Sequence, residues 1–179
     1  MRIERFLAVL LKVAADAKGG PMTRQQSREW EQALDYFRNA APRHTADEEE
    51  SLFPRLRRLS QPEVGHALAE MRELEADHEQ ANEWHALVDH LGGKWLSDTL
   101  LAISDFERLN QTLFNLSELY SRHIALEDNS LFPVAAAALA STETAEIGNE
   151  MAHRRGLDPE RLAEKLVNLS HTTKAPLNS

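Results

Sequence analysis

The chain has 179 residues, of which 42% are hydrophobic and 27% charged, and this composition predicts one compact domain. Its 20 Lys and Arg side chains against 29 Asp and Glu give a formal net charge of -9, which argues against nucleic acid or anionic lipid as a partner. The absence of cysteine excludes disulfides, thiolate zinc sites, iron–sulfur clusters and cysteine nucleophiles.

Targeting and membrane signals are weak in this sequence. The apolar stretch at residues 6–11 is too short for the hydrophobic region of a signal peptide, so we expect a cytoplasmic protein. The longest wholly apolar run, residues 134–140, falls far below the roughly 18 residues that suggest a bilayer span. We therefore predict no membrane segment.

The order of apolar residues predicts helices along the whole chain. Glycine and proline are scarce and clustered, and no segment alternates in the manner of a strand. We predict four long helices, separated by Gly19–Gly20, Pro62 and Gly92–Gly93, over about residues 2–17, 23–58, 63–91 and 95–137. The predicted fold is all-α, an antiparallel up-down four-helix bundle with short extra helices at the C-terminus.

Two shorter helices are predicted after the bundle. The first runs from about residue 142 to residue 155 and ends at Gly156, a favourable residue just beyond a helix. The second begins with Asp158 as its cap and Pro159 in its first turn. We therefore divide the chain into a bundle domain at residues 1–157 and a short helix with a frayed tail at residues 158–179.

An internal repeat relates the second and fourth predicted helices. The segment His44-x-x-x-Glu48-x-x-Ser51-Leu52-Phe53-Pro54 recurs 79 residues later as His123-x-x-x-Glu127-x-x-Ser130-Leu131-Phe132-Pro133. Six positions, those named above, are identical together with the Ala two residues after each His, and chance does not easily produce such a match. The repeat predicts that the two halves of the bundle are related by a pseudo-twofold axis.

Apolar stripes lead into both copies of this motif. Helical spacing places His44 and Glu48 on the face that carries Trp30, Leu34 and Phe37. His123 and Glu127 follow Leu109, Leu113, Leu116 and Tyr120 in the same way. A carboxylate and an imidazole in such a stripe cost several kcal/mol unless they are paired, and a shared cation is the simplest pairing that the repeat would duplicate.

The third predicted helix adds His78 and His85 to an inward stripe. His78 lies at the depth of the two motifs, whereas His85 is two turns further on, too far to share the same metal easily. A second metal or a supporting role stays open for His85. One HxxxE motif alone is a poor metal signal, because a lone buried histidine is more often a hydrogen-bonded core residue.

Two copies of the motif together with His78 favour a metal site. The candidate ligands are His44, Glu48, His78, His123 and Glu127. We expect a solvated face to contain Asp47, Glu49, Glu50 and Asp128. We expect surface positions for the histidines that lack such a context, His66, His90, His153 and His171.

These motifs resemble those of the hemerythrin-like family, also called HHE cation-binding domains. The likeness is carried by the two HxxxExxxLFP segments and by Asp77-His78, and it covers about residues 2–157, including the tail at residues 150–156. The resemblance implies an up-down four-helix bundle around a non-haem di-iron centre, with imidazoles on each iron and the carboxylates of Glu48 and Glu127 bridging. The order HxxxE differs from the ExxH of ferritin-like bundles and argues against a ferroxidase of that class.

One ligand of the family pattern has no counterpart in this sequence. Family members usually open with a helix that bears Glu-His, and Ile3 occupies the apolar position three residues after that histidine. Either the chain as given begins too late, or this member lacks one ligand. In the second case one metal is held more weakly, with water or Glu4 as a substitute ligand, and a partly filled or single-metal site is expected.

The leading functional hypothesis is a non-haem iron protein that binds dioxygen, nitric oxide or peroxide at an open coordination position in an apolar pocket. No separate acid–base or nucleophile constellation is evident, so we expect binding rather than catalysis, with peroxide or nitric oxide chemistry left open. One alternative is an iron- or oxygen-sensing module whose output element is the segment from Asp158 onward. Another is a structural bundle without metal. The long exposed helices could also support a homodimer.

Overall fold

A computed structural model describes residues 2–59 and 64–158 of the chain, and every regular element in these ranges is helical. The helices are α1 (Arg2–Ala17), α2 (Arg24–Asn39), α3 (Ala41–Ala46), α4 (Phe53–Leu56), α5 (Val64–Asp98), α6 (Ile103–Leu126), α7 (Phe132–Ala138) and α8 (Ser141–Arg154). The first π-turn (Asp47–Leu52) joins α3 to α4, and the second π-turn (Glu127–Leu131) joins α6 to α7. The all-α prediction is confirmed.

The long helices pack as a ring of neighbours. Helix α1 contacts α2 and α6, and helix α5 contacts the same two helices from the other side. A four-helix bundle fits this arrangement. No helix in the described ranges is both long enough and apolar enough to cross a membrane.

The second helix begins where the sequence predicts. The Thr23 hydroxyl accepts a hydrogen bond from the Gln26 backbone N–H, and the Gln26 side chain accepts one from the Thr23 N–H. This reciprocal capping satisfies two donors that a helix start leaves unpaired. From there the chain continues through α2, α3, the first π-turn and α4, which together occupy the predicted span of 23–58.

Each π-turn directly precedes a Phe-Pro pair. A proline inside an α-helix lacks an N–H donor and its ring clashes with the carbonyl four residues earlier. The chain widens instead, and the N–H of Phe53 donates to the carbonyl of Glu48, five residues back. Phe132 donates to the carbonyl of Glu127 in the same way. Both copies of the repeated motif therefore contain the same wide turn.

The predicted turn at Gly92–Gly93 is wrong. Helix α5 continues through both glycines to Asp98, and the chain reverses only at residues 99–102, where Thr99 has a φ of 66°. Gly92 serves close packing: a Cβ at this position would lie 2.8 Å from Nε1 of Trp30. Gly92 therefore makes room for the indole ring of Trp30 within a continuous helix.

The helix predicted near residues 142–155 is present as α8. Gly156 follows it with a φ of 65°, and its N–H donates to the His153 carbonyl, as expected for a glycine that ends a helix. The second predicted C-terminal helix and the tail, residues 159–179, lie outside the described residues.

Two hydrophobic clusters fill the interior. The larger cluster joins α1, α2, α5 and α6 and includes Trp30 and Trp95. The smaller cluster lies towards α4, α7 and α8 and includes Phe53, Met71 and Ile147. On α5, for example, His78 lies between Leu74 of the smaller cluster and Ala81 of the larger one, so a polar layer separates the two.

Candidate metal centre

All five candidate ligands lie in this polar layer. Glu48, His78, His123 and Glu127 are at most 4% exposed, and the His44 side chain is 27% exposed. His44 comes from α3, Glu48 from the first π-turn, His78 from α5, His123 from α6 and Glu127 from the second π-turn. The structure thus brings together side chains from three separate stretches of the chain.

The coordinating atoms form two groups that share Glu48. Glu48, His78 and His123 make the inner group, and His44, Glu48 and Glu127 make the outer group. In each group the nitrogen and oxygen atoms lie within 4.8 Å of one another. Glu48 Oε2 is 3.2 Å from His78 Nε2, and its Oε1 is 3.5 Å from His44 Nε2. Glu127 Oε1 lies 2.9 Å from His123 Nε2 and 3.8 Å from His44 Nε2.

These atoms have no hydrogen-bond partners of acceptable geometry. Seven are buried in this state: Nε2 of His44, His78 and His123, and both carboxylate oxygens of Glu48 and Glu127. Buried polar atoms are normally hydrogen-bonded, and leaving one unpaired costs about 1–3 kcal/mol. Three nitrogen and four oxygen atoms that converge in this way fit one or two cations of the kind that imidazole and carboxylate bind.

The local electrostatics also favour a cation. Burial, followed by the neighbouring Glu127 carboxylate, raises the pKa of Glu48, and burial lowers the pKa of His44. Burial therefore disfavours the charged form of each group. A cation would stabilise the Glu48 carboxylate and use the lone pair of a neutral His44 imidazole.

Two further carboxylates contact the outer nitrogens of the buried imidazoles. Nδ1 of His78 lies 2.8 Å from Glu49 Oε1, and Nδ1 of His123 lies 3.4 Å from Asp77 Oδ2. Arg122 donates to the other Asp77 oxygen at 2.6 Å. The hydrogen bond with Glu49 directs Nε2 of His78 towards the polar layer, as carboxylates commonly do for metal-bound histidines, whereas Asp77 Oδ2 and His123 Nδ1 are close but form no hydrogen bond of acceptable geometry.

The prediction of a solvated acidic face is wrong for Asp47 and holds in part for Glu49, whose side chain is 38% exposed. Asp47 is 2% exposed and pairs with Arg154, the last residue of α8, and with Arg155, which follows it, and Glu49 contacts His78. Asp47 is covered by arginines more than 100 residues away in the sequence, and such a contact cannot be predicted from spacing within one helix. Glu50 and Asp128 are exposed, as predicted.

The four other histidines in the part of the chain that the structure describes lie outside the two groups. His85 forms a 3.1 Å hydrogen bond with the Tyr120 hydroxyl and packs against the ring of Phe37. Burial lowers its pKa to about 4. His66, His90 and His153 are exposed, as predicted, and His171 is outside the described residues.

A surface cavity of about 330 Å³ reaches the outer group at His44. Its walls come from the beginning of α1, the end of α2, the beginning of α3 and the residue after α8, and the residues that line it besides His44 are Arg2, Ile3, Tyr36, Ala40, Arg43 and Arg155. Ile3 itself is buried. The partly exposed His44 is thus a candidate ligand in the lining of this cavity.

Comparison with known proteins gives a consistent result. A family model described as the hemerythrin HHE cation-binding domain matches residues 1–135, a range that contains all five candidate ligands and both π-turns. A Haemophilus influenzae protein described as uncharacterized is 33% identical over 126 residues, which span 70% of this chain and 67% of that protein. No solved structure matches the chain. Helix α8 lies beyond the matched range.

Proposed function

Since this chain belongs to the hemerythrin HHE cation-binding family, we propose that it is a non-haem iron protein that binds dioxygen or a related small ligand, nitric oxide or peroxide. The observation that carries this proposal is the buried layer of seven unpaired imidazole and carboxylate atoms between two apolar clusters. Such a layer destabilises a bundle without a cation and is well suited to one that holds iron.

The inner and outer groups are the proposed positions of two irons. His78, His123 and Glu48 would hold one, and His44, Glu48 and Glu127 the other, with one oxygen of Glu48 directed to each. Bound iron supplies an open coordination position for a small ligand. The surrounding apolar clusters exclude water, and the cavity at His44 provides the approach.

The two positions differ in the ligands they offer. The inner group has two buried imidazoles, whereas the outer group has only His44, which is partly exposed. We propose that the inner position fills first and more tightly, and that the outer position exchanges its metal more readily. A preparation with one iron per chain is then an expected intermediate between the empty and the di-iron protein.

We also propose the up-down order of helices and the division into a bundle domain, residues 1–157, and a short terminal segment, residues 158–179. One hydrogen bond and one shared cavity support the order. The Leu101 N–H donates to the Gly19 carbonyl at 2.8 Å, which joins the loop after α1 to the turn after α5. At the other end, the cavity places Ile3 near His44.

The test is the iron, manganese and zinc content per chain, measured by elemental analysis of protein made in iron-supplemented cells. We compare the wild type with Glu127→Gln and with the exposed neighbour Asp128→Asn as a matched control. The wild type and the control should hold up to two irons per chain, one in each donor group. Glu127→Gln should lose the iron of the outer group and hold at most one. Difference spectra with nitric oxide should follow the iron content. Absence of metal from the wild type, or equal iron in both variants, would overturn the proposal.

A further inference from the structure

Helix α8 is tied to the turn that carries Glu48. Arg154 donates to Asp47 Oδ1 at 3.1 Å and to the Ser51 hydroxyl at 2.8 Å. Arg155 donates to the same Asp47 oxygen at 3.1 Å and also binds the second one. The arginine pair (Arg154 and Arg155) therefore contacts the first π-turn on both sides of Glu48.

Burial makes these contacts strong. The Asp47 side chain is only 3% exposed and both of its oxygens accept from guanidinium groups. Charge-assisted hydrogen bonds of this kind are roughly twice as strong as neutral ones, and removing one member of a buried pair leaves an uncompensated charge. Because Asp47 precedes Glu48 directly, the arginine pair also restrains the backbone of Glu48.

The second π-turn is held differently. The residue equivalent to Asp47 in the repeat is Leu126, which packs against the smaller hydrophobic cluster. The Ser130 hydroxyl, equivalent to that of Ser51, donates to Glu70 of α5 at 2.6 Å. A π-turn in this fold therefore does not require arginines from α8. The arginine pair contacts the first π-turn, which carries Glu48, the glutamate that belongs to both donor groups.

Polar contacts account for much of the attachment of α8. Arg55 of α4 binds Glu150 at 2.8 Å and Glu146 at 3.2 Å. Ile147 is the buried residue that α8 adds to the smaller cluster, with Met151 partly buried beside it. The position of α8 is thus set to a large degree by charged contacts, several of which end on the turn that presents Glu48.

We propose that the arginine pair positions Glu48 for metal through Asp47 and Ser51, and that metal binding and the docking of α8 are coupled. This inference rests on the proposed iron site. Linkage is reciprocal: if docked α8 strengthens metal binding by some factor, metal strengthens the docking of α8 by the same factor. The docking of α8 then reports metal occupancy at the surface of the molecule.

The experiment combines hydrogen–deuterium exchange of residues 141–155 with Fe²⁺ affinity measured anaerobically against a competing chelator. In the full wild-type chain, Fe²⁺ should slow exchange of this segment by about tenfold. In Asp47→Asn, Fe²⁺ affinity should fall about 10–100-fold, and exchange of the segment should no longer respond to Fe²⁺. Arg155→Lys keeps a positive charge near Asp47 and should give an intermediate result.

Glu146→Gln is the matched control. It removes an exposed ion pair between α8 and Arg55 that does not involve Asp47 or Glu48, so Fe²⁺ affinity should stay within about twofold of the wild type. Iron binding by the wild type without a change in exchange would overturn the coupling alone. The coupling would also be overturned if Asp47→Asn released α8 and kept the Fe²⁺ affinity of the wild type. A wild type that binds no iron would overturn both the coupling and the proposed function. If Asp47→Asn does not fold, the coupling is tested by hydrogen–deuterium exchange of the wild type with and without Fe²⁺ and by the Fe²⁺ affinity of Arg155→Lys.

Discussion

At the residue scale, periodicity was sufficient to predict which side chains meet in the polar layer. His44, Glu48, His123 and Glu127 continue apolar helical stripes, so their inward direction follows from spacing alone. The contacts of Asp77 with His123 and of Glu49 with His78 depend on how separate helices pack, and spacing within one helix carries no such information. Asp77-His78 was a visible motif, but the sequence did not reveal that the aspartate contacts a different histidine.

His85 gives a prediction about acid stability. Its pKa is about 4 in the folded protein because of burial, and 6.5 is the ordinary value. Between these two pH values His85 binds a proton in the unfolded chain but not in the folded chain. The free energy of unfolding therefore falls as the pH is lowered from about 6.5 towards about 4. His85→Gln can still accept from Tyr120 and does not titrate.

Urea unfolding of the metal-free proteins measures this effect. The free energy of unfolding of the wild type should fall relative to that of His85→Gln as the pH is lowered across this window. His90→Gln, at an exposed position, is the control and should show no such trend relative to the wild type. A constant difference between wild type and His85→Gln would contradict the buried, neutral state of His85.

At the element scale, the four long helical stretches were predictable because apolar residues recur at helical spacing over many turns. Their interruptions were not. Gly92–Gly93 is typical of a turn, yet the helix continues through it, and Gly92 packs closely against Trp30, which lies 62 positions away in the sequence. The π-turns likewise depend on the prolines that follow them and on the packing of the acidic residues within them.

The two glycines provide a matched pair of substitutions. Gly92→Ala places a Cβ 2.8 Å from Trp30 Nε1, in a core where that ring is fully buried, and should destabilise the protein by about 1–3 kcal/mol. Gly93→Ala meets no atom within 4 Å and should stabilise the helix by up to about 1 kcal/mol. Chemical denaturation of both variants measures the difference. Equal effects would show that α5 does not pack on Trp30 as described.

At the scale of the whole molecule, a polar layer divides the interior into two apolar clusters, so the stability of the bundle should depend on metal. Fe²⁺ at about one hundred times its Kd should raise the free energy of unfolding of the wild type by about 2.7 kcal/mol. Glu48→Gln removes the carboxylate shared by both donor groups and should lose most of this gain. Denaturation with and without Fe²⁺ under anaerobic conditions gives both values.

The metal-free state of the same variant is a second readout. Without a cation, burial and the neighbouring Glu127 carboxylate raise the pKa of Glu48 and disfavour its charged form, so replacing Glu48 with a neutral amide is expected to be neutral or stabilising. Metal-free Glu48→Gln should therefore be at least as stable as the metal-free wild type. A variant that is less stable without metal and gains as much from Fe²⁺ as the wild type would show that Glu48 is a structural residue.

The most direct test of the central claim is anomalous scattering at the iron absorption edge from crystals of the iron-loaded protein. We predict a strong peak roughly 2 Å from the coordinating atoms of His78, His123 and Glu48, and a weaker one beside His44 and Glu127. The lower intensity of the second peak would reflect the single imidazole of the outer group. Iron bound elsewhere on the chain, with no peak in the layer between the two apolar clusters, would contradict the account.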